Sequence, residues 1–248
     1  MALFEMAQAL TKRAGTIYQT STISALLEGV YDGDVTVEQM LAHGDFGLGT
    51  FNHLDGEMII LDGTCYHLRA DGSARVADAG DRTPFAAVTW FRADRSKTVV
   101  DSRDAQSVKA AIDHLADSPN VTLAVRITGS FRSVRTRTLS EQHRPYPRLI
   151  DATNSQQEEA FTNVSGVIAG YRTAPFEQGI AVAGYHLHFL DDQRQHGGHV
   201  LDFHLDAGVI DVAIETDLHL SLPPTAEFLH ATTDPETVDQ EIHSVEGG

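Results

Sequence analysis

A chain of 248 residues with 42% apolar content is long enough for one large domain or two intimate small ones around a substantial core. Its formal net charge of −17 speaks against nucleic acid and anionic membranes as partners, and it contains no run of 18 apolar residues to span a bilayer. The single cysteine, Cys65, excludes an internal disulfide and a cysteine-rich zinc site, and reads as a buried free thiol.

The opening stretch MALFEMAQALTKRAG carries Glu5 among its apolar residues and its positive charges after them. A secretory leader has the reverse order, which points to a cytoplasmic protein. Thr36 and Gln39 form a capping-box pattern ahead of VEQMLAH, a short helix that Gly44 can close. From Phe46 the period becomes that of a strand meander, with Asp62-Gly63 and Asp71-Gly72 as type I′ hairpin dipeptides. FAAVTWF adds a further strand. Val108, Ala111, Ile112 and Leu115 mark one helical face between Asp104 and Leu115.

VTLAVRITGSFRSVRTRTL alternates with period two and reads as strand, turn, strand. HRPYPRLIDATNSQQ gathers prolines and polar residues and marks a boundary. Beyond it GVIAGYRT, IAVAGYHLHFL, HVLDFHL and VIDVAIETDLHLSL form an antiparallel series, and Asp234-Pro235 caps a last helix. The chain thus reads as α+β, in two β-rich subdomains of mixed and antiparallel sheets with a few helices. Residues 1–145 form an N-terminal α+β sheet domain. Residues 146–248 form a C-terminal antiparallel β domain that carries a histidine-rich hairpin and a tail.

That hairpin, GYHLHFLDDQRQHGGHVLDFHL, holds five histidines in residues 184–205. Residues two apart on a strand share a face, so His186 and His188 can reach one ion. A hairpin through DDQRQHGG would return His199 beside them, giving three imidazoles with an open fourth position, a standard catalytic zinc arrangement. Composition weakens the pair alone, because 13 histidines give about 0.7 His-x-His pairs by chance. His196, at the loop tip, and His204, on the opposite face from His199, compete. Spacing alone leaves metal ligation and ordinary strand histidines both open.

Three further features bear on the choice. Glu57 stands at the start of MIIL, where a strand enters the core; the bland reading is a solvated strand end. Arg135 and Arg137 share one face of a strand, with Val134 and Thr136 on the other; the bland reading is a salt-bridged outer face. Thr50, in GLGTF, is small and polar beside flexible glycines, suiting either a turn or the close approach of a ligand.

Together, QTSTISALLEGVYDGDVT, HGDFGLGTFNHLDGEMIILDG, FRSVRTRT and GYHLHFL…GGHVLDF resemble the acetolactate decarboxylase family, over nearly the whole chain. The resemblance implies a zinc enzyme, a homodimer, that converts the small molecule (S)-2-acetolactate to (R)-acetoin and carbon dioxide through a metal-stabilised enediolate. It implies His186, His188 and His199 as zinc ligands. Glu57 falls in the family's Asp-Gly-Glu-Met motif, Arg137 in its Arg-Thr-Arg-Thr segment and Thr50 in its Gly-Thr-Phe segment. Glu246 matches a second glutamate near the C-terminus, with Glu241 its neighbour and competitor. Glu57, Arg137 and Glu246 are then the catalytic residues, and Thr50 and Arg137 bind substrate.

The chemistry is consistent with those residue types. Acetolactate is a β-keto acid with a hydroxyl on the carbon bearing its carboxylate. Loss of carbon dioxide leaves two electrons to delocalise into the ketone, a charge that a cation on neutral imidazoles can stabilise. Arginine stays charged in an apolar pocket and pairs a carboxylate in a planar fork. A desolvated glutamate near another carboxylate can stay protonated and donate to carbon; Glu57 fits that role, with Glu246 its partner near the metal. A cupin-like metal enzyme would place a glutamate shortly after His-x-His, where this chain has Phe189, Leu190, Asp191 and Asp192. A non-catalytic metal-binding protein would leave the Glu57 and Arg137 motifs unexplained.

Overall fold

In the computed structural model, which describes residues 15–232 and 235–246, the alternating segments form two large sheets packed face to face, beside a small two-stranded one. The first part of the chain runs through β1 (Thr16–Thr20), α1 (Ile23–Leu27), β2 (Val35–Thr36), α2 (Val37–Leu41), β3 (Phe46–Thr50), β4 (Glu57–Leu61) and β5 (Thr64–Leu68). Next come β6 (Ala74–Val76), β7 (Arg82–Thr83), β8 (Ala86–Thr89), β9 (Arg95–Val99), β10 (Arg103–Asp104), α3 (Ala105–Ala116) and β11 (Thr122–Thr138). The remainder is α4 (Leu149–Ala152), β12 (Gln157–Thr173), β13 (Gly184–Asp191), β14 (Gly197–Glu215), β15 (Asp217–Ser221), α5 (Ala226–His230) and α6 (Pro235–Glu246). This is the expected α+β class.

Seven strands form one sheet in the order β15-β1-β8-β3-β4-β5-β6. The other is built on three long antiparallel strands, β14-β11-β12, with β13 closing against both β12 and β14. Phe46, Leu48 and Ile59 of the first sheet share one core with Val167, Ala169 and Leu190 of the second. On the outer face of the second sheet, α3 buries Val108 and Ile112 against Leu123, Val125 and Ile210. Cys65 is a buried free thiol, and burial pushes it up to about 12.

Several local readings hold. Thr36 and Gln39 form the capping box on α2, and the helical face carrying Val108 and Ile112 lies on α3. Asp62 and Gly63 both take positive φ, as a type I′ turn requires. Asp71 does not; Gly72 alone is left-handed and donates its N–H to the Arg69 carbonyl, so the second hairpin closes by a different turn. The α2 helix ends at Leu41 with Ala42 as its cap, short of Gly44.

Longer-range readings need correction. VTLAVRITGSFRSVRTRTL has no turn: it is β11, one strand of 17 residues. Gly129 stays extended there opposite Gly166 and Gly208, where a side chain would collide with the Ala207 carbonyl. Register shifts beside it absorb the irregularity. HVLDFHL and VIDVAIE likewise fuse into β14, while β15 leaves that sheet and pairs parallel to β1. Sheet membership therefore does not follow the expected 145/146 division: β11 lies at the centre of the second sheet and β15 at the edge of the first. The proline-rich boundary segment leads into α4, whose Leu149 and Ala152 are buried. Pro235 begins α6 as expected; its proposed cap, Asp234, lies outside the described residues. No helix among the described residues is long and apolar enough to cross a membrane.

Glu215 is buried where the sheets meet and accepts a hydrogen bond from Thr89 Oγ1 at 3.0 Å. Burial pushes its carboxyl up from 4.5 to about 7. Because the folded state holds this proton more tightly, its contribution to stability is present below about 4.5 and is lost as the pH rises through about 7. Glu215→Gln is accordingly expected to raise Tm by roughly 2–4 °C at pH 8 and to leave it nearly unchanged at pH 4, as thermal unfolding at the two pH values would show.

Candidate active site and metal centre

Strand pairing brings the histidines together. His186 and His188 project from β13 with period two, and β14 places His199 directly opposite His188. Their ligating nitrogens lie within 4.8 Å of one another and all three residues are buried. The ring centroids are 5.1 Å apart for His186–His188 and His186–His199, and 5.4 Å for His188–His199. His188 Nδ1 donates to the Met58 carbonyl at 2.7 Å, which fixes the ring and turns Nε2 toward the cluster. Burial, with the Arg137 charge added, pushes His186 down to about 3, so its imidazole is neutral, as a ligand must be. The donor set therefore fits a metal ion.

The competing histidines are placed elsewhere. His196 is at the hairpin turn, with Nδ1 3.2 Å from Asp191 Oδ2 and its side chain 46% exposed. His204 Nε2 meets Ser102 Oγ at 2.7 Å.

The first sheet covers this cluster through β4, whose opening residue is Glu57. Glu57 Oε2 is 3.7 Å from His188 Nε2, and the residue is buried rather than at a solvated strand end. Thr50 pairs with Glu57 across β3 and β4, and its hydroxyl donates to the Gly56 carbonyl at 2.7 Å. The connecting turn is sharp. His53 and Leu54 both have positive φ, a costly conformation for residues with side chains. His67 Nε2 holds the Asp55 carbonyl in that turn at 2.6 Å.

Arg137 stands opposite His199 in the β11–β14 register. Alternation suggests equivalence with Arg135, but the two differ in cover: Arg135 is exposed 3.7 Å from Glu158, while Arg137 is buried at 3% exposure. Thr50, Glu57, Arg137, His186 and His199 line one cavity. Its remaining wall is apolar and was not identified by sequence motifs: Ile23 and Leu26 of α1, Leu54, Phe85, Leu139, Leu149 and Val245. Ile23 and Leu26 lie within QTSTISALLEGVYDGDVT, Leu54 lies within HGDFGLGTFNHLDGEMIILDG and Leu139 directly follows FRSVRTRT, whereas Phe85, Leu149 and Val245 fall in none of these motifs.

The α6 helix docks by Val238, Ile242 and Val245 on this wall. Glu246 is its last residue, directly after the cavity-lining Val245. Glu241, the competing tail glutamate, does not line the cavity; its Oε2 accepts from Arg148 at 2.9 Å.

The model of the alpha-acetolactate decarboxylase family matches residues 17–235. The chain belongs to that family. The alpha-acetolactate decarboxylase of Klebsiella aerogenes is 48% identical over 230 residues, covering 93% of this chain and 88% of that protein. The Bacillus subtilis (strain 168) protein of the same name is 41% identical over 231 residues, covering 93% and 91%. The crystal structure of alpha-acetolactate decarboxylase from Bacillus subtilis strain 168 superposes with a TM-score of 0.92 at 41% identity, covering 94% of this chain and all of that one. A Staphylococcus aureus structure described as similar to alpha-acetolactate decarboxylase gives 0.89 at 34% identity, covering 93% and 100%. The family membership expected from the motifs is borne out, and with it the α+β fold.

Proposed function

We propose that the chain is a zinc-dependent acetolactate decarboxylase, converting (S)-2-acetolactate to (R)-acetoin and carbon dioxide. The observation that carries this reading is the buried three-histidine group, two of whose members, His186 and His199, line one cavity with Glu57 and Arg137, in a chain of this family. Zinc held by His186, His188 and His199 would supply a Lewis acid for the ketone and hydroxyl oxygens of the substrate. Neutral imidazoles would leave such an ion its full charge, and three protein ligands would leave it open to substrate oxygens.

Arg137 supplies the positive charge that a protein of net charge −17 otherwise denies an anionic substrate. In this reading it pairs with the substrate carboxylate and aims the breaking bond. Carbon dioxide leaves, and the bond's electron pair passes into the ketone to give an enediolate. Glu57 then delivers a proton to the carbon that carried the carboxylate, and is reprotonated from solvent. Thr50 helps to seat the substrate beside Glu57. The apolar wall excludes water from the enediolate and faces the substrate's methyl groups. Glu246 acts as the partner of Glu57 near the metal. A homodimer is part of the same reading, and sedimentation of the purified chain checks it.

Arg137→Lys keeps the charge but not the planar fork. It is expected to lower kcat/KM about a hundredfold, the order of effect of misplacing a bound substrate, with bound zinc unchanged. Steady-state kinetics and metal analysis on one preparation decide this.

Deleting residues 244–248 removes both Val245 and Glu246. The truncated chain is expected to stay folded with full zinc while decarboxylation falls at least about a hundredfold, and Glu246→Gln to reproduce much of that loss. A fully active truncation would remove the tail from the site.

A further inference from the structure

Much of the apolar wall facing the histidines comes from three helices distant in sequence: α1 through Ile23 and Leu26, α4 through Leu149 and α6 through Val245. Polar contacts from one side chain tie them together. Arg148 is the N-cap residue just ahead of α4, and its Nη2 donates to Glu28 Oε1 at 2.6 Å and to Glu241 Oε2 at 2.9 Å. Glu28 is the cap residue ending α1. Glu241 lies four residues before Val245, on the same face of α6. Both glutamate side chains are largely buried, at 19% and 14% exposure, so each carboxylate depends on a cation.

Apolar packing by Val238, Ile242 and Val245 holds α6 against the body of the protein. Such packing is non-directional and tolerates a helix that slides or turns. A charge-assisted hydrogen bond does not, because its strength depends on the geometry of donor and acceptor. The Arg148 contacts therefore supply what the apolar contacts lack, a fixed rotation of α6 about its own axis. That rotation decides whether Val245 meets the cavity and where the adjoining residue 246 stands.

We propose that Arg148 is a positioning residue for decarboxylation: by bridging Glu28 and Glu241 it sets α6 against α1 and α4, so that the last turn of α6 completes the cavity. This rests on the reading of the cavity as the decarboxylation site. Arg148 does not line that cavity and touches no proposed substrate atom, so its effect passes entirely through the helix.

The test uses the full-length, zinc-loaded enzyme and compares the parent with Arg148→Met and with the exchanged pair Arg148→Glu/Glu241→Arg. Hydrogen exchange over residues 235–246, bound zinc, kcat and KM on acetolactate are measured for each. In Arg148→Met, α6 exchange is expected to rise and kcat to fall roughly three- to tenfold, since partly exposed ion pairs carry modest energies. Zinc content and protection of β13 and β14 should not change. The exchanged pair returns a cation between two carboxylates and should restore both α6 protection and most of kcat. Unchanged α6 exchange in Arg148→Met, faster exchange with parental kcat, or no recovery in the exchanged pair would each overturn the proposal. A parent enzyme that makes no acetoin would instead overturn the underlying reading of the cavity, a result separable from any of the variants.

Discussion

Alanine at His186, His188 or His199 is expected to remove bound zinc and acetoin formation together, with activity falling by more than about a thousandfold. The magnitude follows from a Lewis acid contribution of several kcal/mol at about 1.4 kcal/mol per factor of ten. Each of the three is buried and within 4.8 Å, nitrogen to nitrogen, of the other two, so two remaining imidazoles cannot rebuild a three-nitrogen site. His196→Ala and His204→Ala are the controls. The first breaks a half-exposed contact with Asp191 and a ring contact with Phe161, and the second a contact with Ser102, and both should keep full zinc and near-parental rates. Metal analysis and acetoin assays on the five single variants check this; full zinc occupancy in His199→Ala would remove that residue from the ligand set.

Glu57→Gln is expected to retain zinc and lose about 10²- to 10⁴-fold in kcat, the usual range for a positioned proton donor. The substitution is nearly isosteric. The ring of His188 should keep its place, because it is held by the Met58 backbone carbonyl rather than by the carboxylate. Loss of turnover with an intact metal centre is thus the expected signature of a group that handles protons. A near-parental kcat in Glu57→Gln would take Glu57 out of that role.

What could be read from the sequence was mostly local. A capping box, an Asp-Gly turn and the buried face of α3 depend on residues within a few positions of one another, and they stand as read. The histidine-bearing hairpin was legible for the same reason: one turn decides whether His199 returns beside His188. β11 misled because Gly129 and Ser130 resemble a turn, whereas the glycines facing them on both neighbouring strands allow the chain to continue straight. Arg135 and Arg137 look alike in sequence; only the covering sheet and helices make one a surface residue and the other a cavity residue. The meeting of α1, α4 and α6 in one apolar wall left no local trace, since helices separated by more than eighty residues meet only in the folded chain. The division at 145/146 failed to separate the sheets for a related reason. A proline-bearing segment marks a change of direction, and here it joins strands that belong to one sheet.

The most direct test of the account is chiral detection of acetoin from racemic 2-acetolactate, using one preparation of the purified chain as isolated, stripped by a chelator, and reloaded with zinc. The account predicts (R)-acetoin from the isolated and reloaded protein and loss of activity in the stripped protein. Equal rates from stripped and reloaded protein, or zinc bound at the three histidines with no acetoin formed, would contradict it.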